Sequence, residues 1–173
     1  MYDNLGLLID GEWRQASDGE VFEVSSPVTE EVISELPSAS TTDIEAALKA
    51  AGRAFGGWSG TPAWDRAAIL RRTAELLRES NESIARLMST ETGKPIAESR
   101  AEVNASADQF EWYGEEAKRI YGQTIPGRYP GECLSVIYQP VGPCLSLSAW
   151  NFPALLPARK IAAGLAAGCS VIA

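Results

Sequence analysis

The sequence predicts an α/β fold, and three observations carry that expectation. Short strand-like pieces with Asp-Gly pairs open the chain, a run with helical periodicity extends from Thr42 to Tyr121, and a strand-helix-strand pattern follows from Cys144 to Ala173. Strand, helix and strand in that order form a βαβ unit, whose strands begin a parallel sheet. The 173 residues are 45% hydrophobic, enough to bury the core of one domain or slightly more.

In the opening segment Asp10-Gly11 separates Leu7-Leu8-Ile9 from Glu12-Trp13-Arg14, and Asp18-Gly19 precedes Val21-Phe22-Glu23-Val24. Asp-Gly is a hairpin-turn signal, so short antiparallel strands are expected here. Pro27 makes the next stretch an edge strand or a loop. The first helix begins after Thr42, whose hydroxyl caps it while Glu45 reaches back; Ile44, Ala47, Leu48, Ala51 and Phe55 share one face, and Gly56-Gly57 ends it. A second helix starts at Pro62 and turns Ile69, Leu70, Thr73, Leu76 and Leu77 inward. Ser80 or Asn81 divides it from a third, which buries Ile84, Leu87 and Met88 and closes at Thr92-Gly93, where glycine takes the left-handed conformation. Pro95 begins a fourth, running to Tyr121 on Val103, Ala107, Phe110 and Ile120, with Gly122 as its stop.

Past Pro126-Gly127 and Pro130-Gly131, Leu134 to Tyr138 and Cys144 to Ser148 are strands, broken by the corner Pro140-Val141-Gly142-Pro143. A helix from Pro153 to Gly168 and a strand from Cys169 complete the βαβ unit. The chain stops inside that strand, which leaves the parallel sheet without further partners, so the sequence is expected to belong to a longer one.

Composition narrows the functional classes. With 15 basic and 23 acidic residues the net charge is -8, and the basic residues are scattered, which argues against a nucleic-acid partner. Histidine is absent, which removes the Ser-His and Cys-His triads and makes a metal site unexpected. Three cysteines without CxxC spacing, and no signal-peptide pattern, fit a reducing cytoplasm. No residue from Cys133 to Ala158 is charged, yet four prolines and Asn151 interrupt that run, so a buried soluble core is expected there rather than a membrane span.

The segment Ser148-Ala149-Trp150-Asn151-Phe152-Pro153 stands where a strand of the βαβ unit turns into its helix, the usual ligand position in such sheets. Two readings of Asn151 are open. In one it caps the helix, with Pro153 in the first turn and Trp150 packed. In the other its amide donates to a carbonyl oxygen that gains negative charge, an effect worth about 2.7–4 kcal/mol in a comparable site. A thiolate nucleophile needs partial exposure and a cationic or helix-N-terminal setting; Cys144 and Cys169 lie in apolar strands and Cys133 follows a turn, so all three are expected to be core or bystander residues. Glu91-Thr92-Gly93-Lys94 is accounted for by one helix ending and another starting, and is assigned no chemistry. Lys160 is placed on the surface.

Pro140-Val141-Gly142-Pro143, Trp150-Asn151-Phe152-Pro153 and Ala166-Ala167-Gly168-Cys169, with Glu91-Thr92-Gly93-Lys94 upstream, resemble the aldehyde dehydrogenase superfamily at matching spacing. The resemblance covers nearly the whole chain from the Leu8-Ile9-Asp10-Gly11 hairpin onward. It implies an aldehyde dehydrogenase-like α/β fold, an N-terminal helical layer followed by the start of a Rossmann-like parallel sheet. Residues 1–121 would be the strands and helices of the cofactor-binding domain, 122–140 an oligomerisation ribbon, and 141–173 the first βαβ unit.

What the resemblance implies for the site is specific. NAD or NADP would lie along Leu147, Ser148, Ala149 and Trp150, with Ala149 where many relatives have proline; the superfamily does not rely on a GxGxxG loop, and none occurs here. Asn151 would stabilise the thiohemiacetal oxyanion. Phe152 and Leu155, with Leu156, would line the aldehyde tunnel, although three apolar residues on a helix also fit plain core. The ribose-contacting lysine, the glutamate base and the nucleophilic cysteine would all follow Ala173, so the chain alone is expected to be inactive.

Arg159 bears on substrate choice. It stands eight residues after Asn151, about two helical turns on, which puts both on roughly one face. Relatives that oxidise simple aldehydes often have an aromatic residue here, and the succinate semialdehyde type has an arginine, whose guanidinium grips a distal carboxylate. Glu111-Trp112-Tyr113 and Glu115-Glu116-Ala117-Lys118-Arg119 also resemble that subgroup. The simpler alternative is a surface arginine beside Lys160. The expected function is therefore NAD(P)-dependent oxidation of a small aldehyde, a semialdehyde acid such as succinate semialdehyde, in a homo-oligomer of two or four chains, with no membrane partner. The alternative is a non-catalytic oligomerisation or interaction module that associates through its exposed sheet edge.

Overall fold

The computed structural model describes residues 6–173; the first five residues of the expected N-terminal segment lie outside the described residues. Strands β1 (Leu7–Ile9) and β2 (Glu12–Arg14) pair antiparallel across Asp10-Gly11. Both turn residues have positive φ, 57° and 81°, the geometry whose twist matches that of the flanking strands. Asp18-Gly19 also turns the chain, with the Gly19 amide donating to the Ala16 carbonyl, but it joins no hairpin. Its strand, β3 (Val21–Ser25), pairs instead with β4 (Val32–Pro37) beyond Pro27, so β4 is an edge strand of a two-stranded ribbon.

Helix α1 (Thr41–Ser59) starts earlier than expected. Ser40, not Thr42, is the cap, and Asp43 rather than Glu45 reaches back in a capping box. Asp43 is chosen by a distant contact, because its buried carboxylate also accepts the backbone N–H of Ser17 at 3.0 Å and the Ser40 hydroxyl at 2.8 Å. The helix runs through Gly56-Gly57 to Ser59, and it buries Ala50 and Ala51 while Ile44 and Leu48 stay exposed. The expected face was thus rotated: the alanine side meets the protein.

Helices α2 (Ala63–Glu79), α3 (Asn81–Thr92) and α4 (Ile96–Glu116) form the layer on which everything else rests. Pro62 precedes α2 and Pro95 precedes α4, both as expected. In α2 the inward residues are Leu70, Ala67 and Ala74, with Thr73 and Leu77 partly buried, whereas Ile69 and Leu76 face outward. Helix α3 buries Met88 and Ala85, half-buries Ile84 and Leu87, and ends at Gly93 with φ 71°. The expected single helix to Tyr121 stops at Glu116 and tightens into a 3-10 turn at Ala117–Arg119, leaving Ile120 half exposed.

Strands β5 (Gln123–Pro126) and β6 (Cys133–Val136) make an antiparallel ribbon whose residues are all exposed. Strands β7 (Cys144–Leu145) and β8 (Val171–Ile172) are parallel, with α5 (Leu155–Ala167) between them, which is the expected βαβ unit. The helix begins two residues later than Pro153, and β7 is shorter than Cys144 to Ser148. The charge-free run from Cys133 is not a buried core: Ile137, Tyr138, Val141, Leu145, Leu147 and Trp150 are exposed, because no described element packs over the ribbon or over the end of β7. No helix among the described residues is long and apolar enough to cross a membrane.

Helix α4 packs against α2, α3 and α5. The main core joins Ala67, Leu70 and Ala74 of α2, Ala107 and Phe110 of α4, and Ala158, Ala162 and Ala166 of α5. Small side chains on three facing helices let their backbones approach closely; Leu70 and Phe110 are the large side chains buried among them, worth about 1.5–3 kcal/mol each for full burial. Exposed ion pairs join α4 to α2 and α3 from outside, with Arg78 reaching Asp108 at 2.7 Å and Glu111 at 2.5 Å, and Arg100 reaching Glu82 at 2.7 Å.

Two outcomes follow from these placements. The Ser17 amide, then the Ser40 hydroxyl, hold the Asp43 carboxyl below its ordinary pKa of 3.8. A carboxyl depressed by folding contributes its stability above the ordinary value and loses it as the pH falls through the folded one. The urea midpoint of the native protein should therefore exceed that of Asp43→Asn at pH 7, and the gap should close as the pH is lowered below 3.8; a gap that widens in acid would contradict the assignment. The thiols should also react with a disulfide reagent in the order Cys133, Cys144, Cys169, since the first is exposed, the second half-buried and the third buried. Cys144 is slowed further because burial, then its neighbour Cys169, push its thiol up. Equal labelling rates before unfolding would refute that order.

Candidate active site

The turn between β7 and α5 is built from three directions. Lys94 comes from the α3–α4 junction: Gly93 in the left-handed conformation ends α3, the Thr92 hydroxyl donates to the Met88 carbonyl at 2.7 Å and accepts the Lys94 amide at 3.3 Å, and the Ser89 hydroxyl donates to the Lys94 carbonyl at 2.6 Å. A side chain at Gly93 would meet Pro27 of the β3–β4 loop, its Cβ 3.1 Å from the ring, so this position needs glycine for space as well as for φ. Glu102 comes from α4, where its side chain is 2% exposed. Lys160 comes from α5 itself.

Lys94 Nζ forms an ion pair with Glu102 Oε2, donates to the backbone carbonyl of Asn151 at 3.1 Å, and lies 4.2 Å from the centre of the Phe152 ring. The other carboxylate oxygen of Glu102 accepts the amides of Ala154 at 3.0 Å and Leu155 at 3.2 Å. These are orphan donors at the start of α5, where the helix dipole favours a negative charge. Glu102 is therefore the cap of α5. The reading in which Asn151 caps that helix is overturned, since the N-cap residue is Ala154 and no side chain within the turn caps it.

Asn151 is exposed, and its side-chain amide makes no hydrogen bond among the described residues. Phe152 is 43% exposed under the lysine, and Leu155 is partly buried. Leu147, Ser148, Ala149 and Trp150 are all exposed; Trp150, at 86%, does not pack as the capping reading required. Lys160 is exposed but engaged: its ammonium donates to the Leu147 carbonyl and lies 3.3 Å from Ser148 Oγ, tying α5 to the end of β7. Arg159 is exposed on the same helix and pairs with no described carboxylate.

Two groups hold the opposite end of α5. Trp58 Nε1 donates to the Leu165 carbonyl at 3.0 Å, and buried Arg66 donates to the Ala166 carbonyl at 3.2 Å and to the Thr61 carbonyl. A cation there complements the negative end of the dipole. A shallow hollow of about 400 Å³ on the outer face of α4 is a poorer candidate for an anionic ligand, since Asp108, Glu111, Glu115 and Glu116 line it with Trp112 and Arg119. No group of three His, Cys, Asp or Glu among the described residues is placed to hold a metal.

Sequence reasoning singled out Asn151, Phe152 and the Leu147–Trp150 strand end, which the structure brings into one turn, but it missed Lys94, Glu102 and Lys160. The signal that was available is the pattern Gly93-Lys94-Pro95 with a glutamate eight residues after the lysine. On separate elements that spacing has no helical meaning, so the pair is found only in three dimensions.

Comparison with known proteins matches this architecture. The chain is 45% identical to the glutarate-semialdehyde dehydrogenase of Pseudomonas putida over 95% of its length and 34% of that protein's. It is 42% identical to the NADP-dependent succinate-semialdehyde dehydrogenase of Escherichia coli, over 95% of this chain and 34% of the relative. A crystal structure of an E. coli NADP-dependent enzyme superposes with a TM-score of 0.95 at 41% identity, covering 97% of this chain and 35% of that one. The chain thus spans about a third of the length of the curated relatives it matches. With residues 13–173 matched by the aldehyde dehydrogenase family as a whole, and the helical layer and βαβ unit superposing on solved structures, the chain belongs to the aldehyde dehydrogenase family.

Proposed function

We propose that the full-length protein oxidises an aldehyde bearing a distal carboxylate, succinate semialdehyde in the first instance, to the corresponding acid with NAD or NADP. The observation that carries this reading is the uncommitted amide of Asn151, fixed at a strand-to-helix turn in a chain of this family. As a thiol adds to the aldehyde, the carbonyl oxygen gains negative charge and Asn151 donates a hydrogen bond to it. The thiol and the base that prepares it are assigned to sequence following Ala173. Cys144 and Cys169 are poor substitutes, because burial raises the first and encloses the second, the reverse of what an activated thiolate needs.

Leu147, Ser148, Ala149 and Trp150 fit a dinucleotide. They are exposed, and past Ser146 their backbone pairs with no described strand; apart from the Leu147 carbonyl, which takes the Lys160 ammonium, their amides and carbonyls are open to a ligand. NAD or NADP held there would supply the hydride acceptor, and water would then release the acid from the thioester and return the thiol. Phe152 and Leu155 supply the apolar wall beside Asn151, and Arg159, free of any described carboxylate, grips the distal carboxylate. The relatives named for glutarate and succinate semialdehyde support an acidic substrate of this kind. The β5–β6 ribbon, wholly exposed with Ile125, Leu134 and Val136 on it, suits a joint between like subunits, and a cytoplasmic setting suits three unpaired thiols.

Steady-state kinetics of the full-length protein test both roles. Asn151→Ala should lower kcat about 10²–10³-fold with little change in KM, as for loss of one oxyanion donor. Arg159→Leu should lower kcat/KM for succinate semialdehyde about 10- to 100-fold, the worth of one charge-assisted contact, and leave a neutral aldehyde of equal length unaffected. Unchanged turnover in both variants would sink the reading.

A further inference from the structure

We propose that the Lys94–Glu102 ion pair is a positioning device that fixes the direction of the Asn151 side chain by clamping the backbone from the Asn151 carbonyl to the Leu155 amide. The inference rests on the reading of Asn151 as oxyanion donor.

The clamp has four points of attachment within five residues. The ammonium holds the Asn151 carbonyl at 3.1 Å and covers the Phe152 ring at 4.2 Å, while the carboxylate holds the Ala154 and Leu155 amides at 3.0 and 3.2 Å. The two charges are joined to each other, so these contacts form one unit rather than four independent ones. Asn151 itself lies outside any helix or strand, and nothing else among the described residues bonds to its carbonyl or its amide. Its backbone would otherwise be free to rotate, and with it the amide.

The location of the pair favours positioning over stability. The side chains are 13% and 2% exposed, and a charge pair so deeply buried is often no better for stability than apolar residues of the same volume. Apolar residues could fill that space, but they could not hold a carbonyl and two amides in fixed places. Both partners are anchored independently of the turn: Lys94 by the Thr92 and Ser89 hydroxyls, and Glu102 by its place within α4, between α3 and α5. The turn is therefore held from a fixed frame.

The test uses the full-length enzyme, steady-state kinetics and backbone hydrogen exchange. Lys94→Met should lower kcat about 10- to 100-fold, the scale of loss when a reacting group is displaced by about an ångström, while KM for aldehyde and cofactor changes little. Lys94→Arg should recover part of that loss, and exchange at residues 151–155 should rise in Lys94→Met. Because Lys94 acts through Asn151, adding Lys94→Met to Asn151→Ala should cost almost nothing further.

If the two losses multiply, if Lys94→Met keeps full kcat while Asn151→Ala is impaired, or if exchange over the turn is unchanged, the positioning role is overturned and the Asn151 reading survives. If Asn151→Ala itself turns over normally, the oxyanion reading falls first and this one with it. Should Lys94→Met not fold, the double variant Lys94→Met/Glu102→Gln removes both charges but keeps an acceptor for the α5 amides, and is judged by the same criteria.

Discussion

Helix α5 has two ends that the protein must satisfy away from bulk water, and the rest of the structure depends on how that is done. Its first amides are met by Glu102 of α4, and its last carbonyls by Trp58 of α1 and Arg66 of α2. A carboxylate at the positive end and a guanidinium at the negative end each add about 0.3–1 kcal/mol at exposed sites and up to about 2 when partly buried. Three helices of the preceding layer are thereby committed to one helix of the βαβ unit. Its orientation sets where β7 ends and where the Asn151 turn begins.

That arrangement requires close approach, which explains the alanines. Glu102 reaches the α5 amides where α4 and α5 pack closely, with the small residues Ala107, Ala158 and Ala162 in their shared core. Leucines at those positions would bury more area and push α5 outward, beyond the reach of the carboxylate. The ion pairs of Arg78 with Asp108 and Glu111, and of Arg100 with Glu82, lie on the outer side of α4, and being exposed they contribute little stability. Glu82 is held at about 2 by Arg100 and Arg86, so this bracket stays charged through the neutral range.

Much of this was legible in the sequence where local chemistry decides the outcome. Asp10-Gly11 makes its hairpin, Pro62 and Pro95 precede their helices, and Gly93 ends α3, because φ preferences act over a few residues. Errors arose where a distant partner decides. Ser40 rather than Thr42 is the cap of α1, and its partner Asp43 is also held by the Ser17 amide, 26 residues earlier. Ile44, Leu48, Ile69 and Leu76 are periodic yet exposed, while Ala50, Ala67 and Ala74 are buried along with the expected Ala51 and Leu70. Periodicity finds an apolar stripe; it does not tell which stripe another element covers.

The site divides the same way. Trp150-Asn151-Phe152-Pro153 stood out because those residue types at a strand-to-helix junction need a reason, but the reason assigned locally, that asparagine caps the helix, was displaced by a carboxylate 52 residues from Ala154. A helix has few cap donors, and once Glu102 meets them the asparagine has no structural employment in the turn. A polar amide that folding leaves unused, on a backbone whose carbonyl is held by Lys94, is available to a ligand. On the front of the turn Trp150 and Leu147 are exposed and apolar, with Phe152 half exposed beneath Lys94, so a ligand there would meet apolar side chains beside the Asn151 amide, the Ser148 hydroxyl and the Lys160 ammonium.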